Sequence, residues 1–212
     1  MATRADVQRL SLFPLAGAIL FPRAYLPLHI FEPRYRALVQ DALARDRRIA
    51  MVQPRPGEQG ACPALFDVGC IGRIAEVEAL DDGRFNLVLE GVTRFRTLRE
   101  LDAATPFRQV EASVAGFRDG PDDQDALPSV MRADLERESR AFADSRGFAV
   151  DWEAVGRLDD EALINGIAQI APFDVAAKQA LLEADNLVAR ADMLVQFLIF
   201  FRLGDDDPAT LQ

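Results

Sequence analysis

The sequence predicts an α+β chain, in which a β-rich first part folds as a small, partly closed barrel with one inserted helix and a wholly helical part follows. Three observations carry this reading. Apolar residues alternate in short runs from residue 10 to about residue 116, the two-residue period of half-buried strands. Residues 116–125 then hold two glycines, one proline and four aspartates, a composition that interrupts both periods and reads as a linker. Beyond the linker the apolar spacing changes to three and four residues, the period of a helix. The expected boundaries are 1–118 for the barrel, 119–204 for the helical part and 205–212 for a flexible acidic tail.

The stretch from Leu26 to Tyr35 shows the local logic. Leu26, Leu28 and Ile30 alternate as one face of a strand, which turns His29 to the other. Glu32-Pro33 then starts a helix, because the amide that proline lacks would have no partner in the first turn. Tyr35, Leu38, Val39, Ala42 and Leu43 follow at helical spacing. Ile49–Val52 reads as a short strand, and 54–63, with two glycines and three prolines, as a loop. Gly69–Leu80 is a longer strand whose imperfect alternation implies a bulge or burial on both faces. Asp81-Asp82-Gly83 supplies a hairpin turn, since Asp-Gly adopts positive φ cheaply. Phe85, Leu87 and Leu89 share one face of the return strand, and Gly91 marks a bend before Val92–Leu98. In 109–114, Val110, Ala112 and Val114 point inward.

Four helices are expected in the second part: from Ser129 to about Asp144, 159–171 stopped by Pro172, one capped by Asp174, and one from about Asp185 to Gly204. In the second, Leu163, Ile164, Ile167 and Ile170 share a face; in the last, Leu187, Val188, Ala191, Leu194, Val195 and Leu198 do. Phe197–Phe201 is apolar all round the helix. Burial of this last turn between the two parts is the first reading, and an exposed partner or self-association patch the second.

Composition narrows the function. A net charge of −10 and a pI near 4.7 argue against nucleic acid, whose phosphates require a basic stripe. No run approaches the ~20 apolar residues of a membrane span. Cys62 and Cys70 form no disulfide framework, and reduced thiols in a cytoplasmic protein are the simpler reading. Arg4, Arg9 and the run Leu12–Phe21 have the outline of a leader peptide, with Ala16 and Ala18 as the small-residue pair. Pro14 and Pro22 break that run, and the same residues serve as the first strands.

Catalytic groupings are scarce. Lys178 is the sole lysine and lies between Ala177 and Gln179, so no Gly-Lys-Ser/Thr phosphate loop exists in these residues. One turn after Asp174, it reads as half of an exposed ion pair rather than as an activated lysine. His29 is the sole histidine, so neither a metal nor a cofactor is expected. Cys62 or Cys70 with His29 is the available nucleophile and base, with Cys70 in mid-strand and Cys62 in a loop. The pairs Asp81/Asp82 and Asp159/Asp160 read as turn and helix-start chemistry. Arg84, Arg94, Arg96 and Arg99 read as an exposed strand face, with an acidic-ligand site as the alternative.

Phe13-Pro14-Leu15, Phe21-Pro22 and Leu26-Pro27-Leu28 resemble the paired short strands that open the N-terminal, substrate-recognition domain of the Lon family of ATP-dependent proteases. Val68-Gly69-Cys70-Ile71-Gly72-Arg73-Ile74, Asp82-Gly83-Arg84-Phe85-Asn86-Leu87 and Leu89-Glu90-Gly91-Val92-Thr93-Arg94-Phe95 resemble its central hairpin. The run from Asp174 to Glu183 is similar to a helix of the same family. The resemblance implies a PUA-like pseudobarrel followed by a helical bundle. With 212 residues the chain is too short for the family's ATPase and peptidase domains, so a non-catalytic protein- and peptide-recognition module is expected. Its partners would be unfolded or exposed apolar protein segments, with His29, Phe31 and Tyr35 as candidate contacts near the barrel mouth and Phe200 and Phe201 near the helical part. The alternatives are a homodimeric or protease-docking adaptor using the C-terminal apolar helix, and a Cys/His hydrolase.

Overall fold

The computed structural model describes residues 6–57, 63–120 and 126–204. The chain divides into two compact units, Met1–Gly120 and Pro121–Gln212. Among the described residues the first unit holds a mixed six-stranded sheet and one helix, and the second holds five helices, an α+β arrangement.

In the first unit β1 (Val7–Pro14) pairs in parallel with β3 (Arg48–Val52) and antiparallel with β6 (Gln109–Ser113). β4 (Val68–Ala79) joins β3 to β5 (Phe85–Leu101), and β5 also pairs with β6, which closes a ring of five strands. β2 (Tyr25–Ile30) stands outside that ring, paired among the described residues with β5 alone, and leads into α1 (Pro33–Leu43). Leu10, Leu12, Ala50, Val52, Ile71, Phe95, Val110 and Ala112 fill the ring, so five of its strands share one apolar core. Each large side chain among them contributes roughly 1.5–3 kcal/mol on burial, which makes the ring the anchor of the unit.

The strands expected to open the chain as a pair do not pair with each other. β1 bonds to β3 and β6, while Phe21 and Pro22 lie in the connection to β2, with Phe21 wholly buried. Gly91 does not break β5, which runs for 17 residues, but the expected irregularity stands beside it, where Val92 is an extra residue between the partners of Ile71 and Gly72. Its need for glycine is a close approach: a Cβ there would lie 1.9 Å from the Phe21 carbonyl oxygen. The imperfect alternation of β4 corresponds both to complete burial over Val68–Gly72 and to an extra residue, Ala75, at the register shift between Ile74 and Glu76. At the hairpin tip Gly83 takes φ +79° and donates to the Leu80 carbonyl.

The arginine face dissolves into separate pairs. Arg84 pairs with Asp82, Arg99 with Glu111, and Arg94 is buried against Asp119, with the Phe117 ring 4.9 Å from its guanidinium. Alternation points Arg94 outward, but the returning segment after β6 covers it and seals both charges.

The second unit contains α2 (Ser129–Ser145), α3 (Trp152–Gly156), α4 (Asp160–Ile170), α5 (Val175–Glu183) and α6 (Leu187–Leu203). Asp151, Asp159, Asp174 and Asn186 accept amide hydrogen bonds at the starts of the last four, as N-cap side chains do. The five-residue α3 was not expected, because a helix with no buried residue has no apolar period. Ile170, expected on the inner face of α4, is 81% exposed. Lys178 is buried rather than paired at the surface: its ammonium donates to the Gln169 carbonyl at 2.8 Å, at the C-terminal turn of α4. Burial lowers its pKa. The Phe197–Phe201 run divides. Phe197 and Phe201 pack on Phe173 at 5.9 and 5.1 Å, Leu198 is buried, and Phe200 stays 68% exposed.

Candidate functional site

β2 offers an unpaired strand edge. Gly91 N–H donates to the Ala24 carbonyl at 2.9 Å, which sets the parity of the β2–β5 ladder. Hydrogen-bonded pairs alternate in an antiparallel ladder, so Leu26, Leu28 and Ile30 turn their backbone groups toward β5. Tyr25, Pro27 and His29 therefore turn theirs to the open edge, where no described strand pairs with them. Pro27 has no N–H, so the edge presents two donors and three carbonyls. A proline at this position costs the sheet no hydrogen bond and limits indiscriminate strand pairing.

The side chains of the same three residues are exposed, while Leu26 and Leu28 are half-buried and Ile30 is buried. Tyr25 is 60% exposed and Phe31, just past the strand, 61%. The His29 and Phe31 rings stack with centroids 6.2 Å apart. His29 Nδ1 lies 2.7 Å from Asn86 Oδ1, and Arg84 approaches its Nε2 at 3.3 Å. The tautomer that satisfies both contacts carries its proton on Nδ1. Asn86 in turn donates to Glu78 at 2.9 Å, so a polar row crosses β2, β5 and β4. Beside it a shallow groove of about 520 Å³ runs over Pro27, Val88, Glu76 and Glu78.

The five residues predicted from sequence fall in three places. His29 and Phe31 meet at the β2 edge. Tyr35 is buried, edge-on to Phe13 at 4.4 Å, with its hydroxyl donating to the Pro14 carbonyl. Burial raises its pKa above 10.0. It borders a separate cavity of about 460 Å³ with Arg34, Glu100 and Arg108. Phe200 and Phe201 belong to α6 in the other unit. Sequence reasoning missed Tyr25, although its alternation with Pro27 and His29 was available as a signal.

Cys70 and His29 do not form a nucleophile and base. Cys70 is buried opposite Met51 and Arg94, whereas the His29 row meets β4 at Glu78. Eight residues of strand separate the two points, roughly 26 Å at about 3.3 Å per residue. Cys62 lies outside the described residues. Among the described residues no group of three or more His, Cys, Asp or Glu could hold a metal ion, and no helix is long and apolar enough to cross a membrane.

Comparison with solved structures fixes the class first: the fold is that of a Lon N-terminal domain. The Lon N-terminal domain protein from Xanthomonas campestris superposes with a TM-score of 0.66 at 24% identity, covering 90% of this chain and 98% of that one. The N-terminal domain of the Mycobacterium avium complex Lon protease gives 0.66 at 18% identity, covering 91% and 98%. Residues 9–199 match the model of the ATP-dependent protease La (LON) substrate-binding domain, and the chain belongs to that family. Lon protease 2 of Myxococcus xanthus is 27% identical over 197 residues, and that of Herpetosiphon aurantiacus 29% over 183. The chain spans only 23% and 22% of the length of those two proteins.

Proposed function

We propose that this chain is a non-catalytic recognition module that binds exposed apolar segments of unfolded polypeptides as an added strand on the edge of β2. The observation that carries the reading is the open edge at Tyr25 and His29, flanked by the exposed rings of Tyr25 and Phe31. Strand addition takes affinity from backbone hydrogen bonds and selectivity from alternate side chains, so it suits segments of varied sequence. Membership of a substrate-binding family supports the same reading. In this account the first unit is a PUA-like pseudobarrel, the second a helical bundle, and the protein works in the cytoplasm. Of the residues expected from sequence, His29 and Phe31 contact the segment, while Tyr35 braces the β2–α1 corner from within.

Fluorescence anisotropy of a labelled, permanently unfolded casein tests it. Saturable binding is expected at tens of micromolar protein, and no change by about 100 μM, where binding would be worth only about 5–6 kcal/mol, would reject it. A second reading, an adaptor that self-associates or docks on a protease through α6, is favoured by the exposure of Phe200 and Leu203 on its last turn.

A further inference from the structure

We infer that the groove over the β2–β5–β4 face selects segments in which a lysine or arginine neighbours the apolar stretch paired at the β2 edge, so that the chain crossing the face brings the basic side chain to Glu76 and Glu78. This rests on the recognition function proposed above and names the class of segment it prefers. The register places Pro27, Val88 and Glu76 in one cross-strand row and His29, Asn86 and Glu78 in the next. Side chains two residues apart on a strand share a face, so the two carboxylates stand together on β4 beside an apolar floor of Pro27 and Val88.

Charge then decides the occupant. Two other carboxylates of this hairpin are already matched, Glu90 by Arg73 and Asp82 by Arg84. Glu78 is held only by the neutral amide of Asn86, and Glu76 makes no hydrogen bond or ion pair among the described residues. The groove therefore carries two carboxylates that pair with no cation among the described residues, in a chain whose net charge is −10. A lysine or arginine fits such a place because its aliphatic stem covers apolar surface while its head reaches a carboxylate. An aspartate or glutamate at the same position meets like charge in addition to the field of the whole chain.

Two unfolded peptides with the same apolar residues, one carrying lysine and arginine and the other glutamine at those positions, test the inference by anisotropy. Wild type should bind the basic peptide about 3- to 10-fold more tightly at low ionic strength, the range expected for two exposed ion pairs, with the preference fading as salt is added. The double variant Glu76→Gln/Glu78→Gln should bind both peptides alike. Both glutamates are exposed, and far-UV circular dichroism checks that the variant is folded. Equal affinities for wild type, or a preference that persists in the double variant, would overturn the charge selection while leaving the recognition function intact. Binding of neither peptide would overturn the recognition function and the selection with it.

Discussion

Replacing Asp119 by alanine takes the carboxylate away from a guanidinium sealed inside the first unit. The two side chains are 2% and 4% exposed, and Asp119 accepts from the Arg94 amide at 2.7 Å, from Nη2 at 2.9 Å and from Nε at 3.1 Å. Water cannot take over these bonds without opening the layer formed by Phe117 and the segment that carries Asp119. Removing one member of a buried pair typically costs about 3–5 kcal/mol, because the other charge stays buried. At about 4 °C per kcal/mol for a unit of this size, the midpoint of its thermal transition should fall by roughly 12–20 °C. Differential scanning calorimetry measures this directly. The double variant Arg94→Met/Asp119→Ala should melt above the single Asp119→Ala, since it no longer buries a charge without its partner. A single variant within about 4 °C of wild type, the shift of roughly one kcal/mol, or a double variant less stable than the single, would refute the reasoning.

Other substitutions probe the two units separately. Gly91→Ala forces a Cβ against the Phe21 backbone and should lower stability by about 2 kcal/mol or more in urea unfolding, whereas Gly166→Ala, with open space around its Cβ in α4, should raise it by up to ~1 kcal/mol. Because burial lowers the pKa of Lys178 below 10.5, the unfolded chain binds more protons than the folded one between the two values. Wild-type stability should therefore gain with rising pH across that window, and Lys178→Met, followed by urea midpoints from neutral to alkaline pH, should lack this gain. Sedimentation of wild type against Phe200→Asp tests the adaptor reading, which requires a lower mass for the variant; an unchanged mass removes self-association through this turn.

Local features of this fold were legible because their causes are local. The Asp82-Gly83 turn, the caps at Asp159 and Asp174, the Pro33 helix start and the alternation of β2 each depend on a few neighbouring residues. What escaped depends on distant pairing. Nothing near β1 announces a parallel partner at Ala50–Val52, and nothing in β5 shows that its far end closes the ring on β6. Arg94 sits among arginines that face solvent, and only the return of the chain to place Asp119 against it reverses that reading. The candidate site was half visible for the same reason. His29 and Phe31 share a short stretch of chain and meet, but Tyr35, four residues further on, is carried inward by the first turn of α1. Tyr25 was within reach of the same local reading, because it continues the alternation of Pro27 and His29 along β2.

Amide hydrogen exchange at Tyr25 and His29, followed by nuclear magnetic resonance with and without saturating unfolded polypeptide, tests the central claim most directly. Both amides point away from β5 and should exchange rapidly in the free protein. Strand addition predicts that both become protected by at least about 10-fold on binding, while amides directed into the β2–β5 ladder change little. Binding that leaves Tyr25 and His29 as unprotected as before would contradict the account.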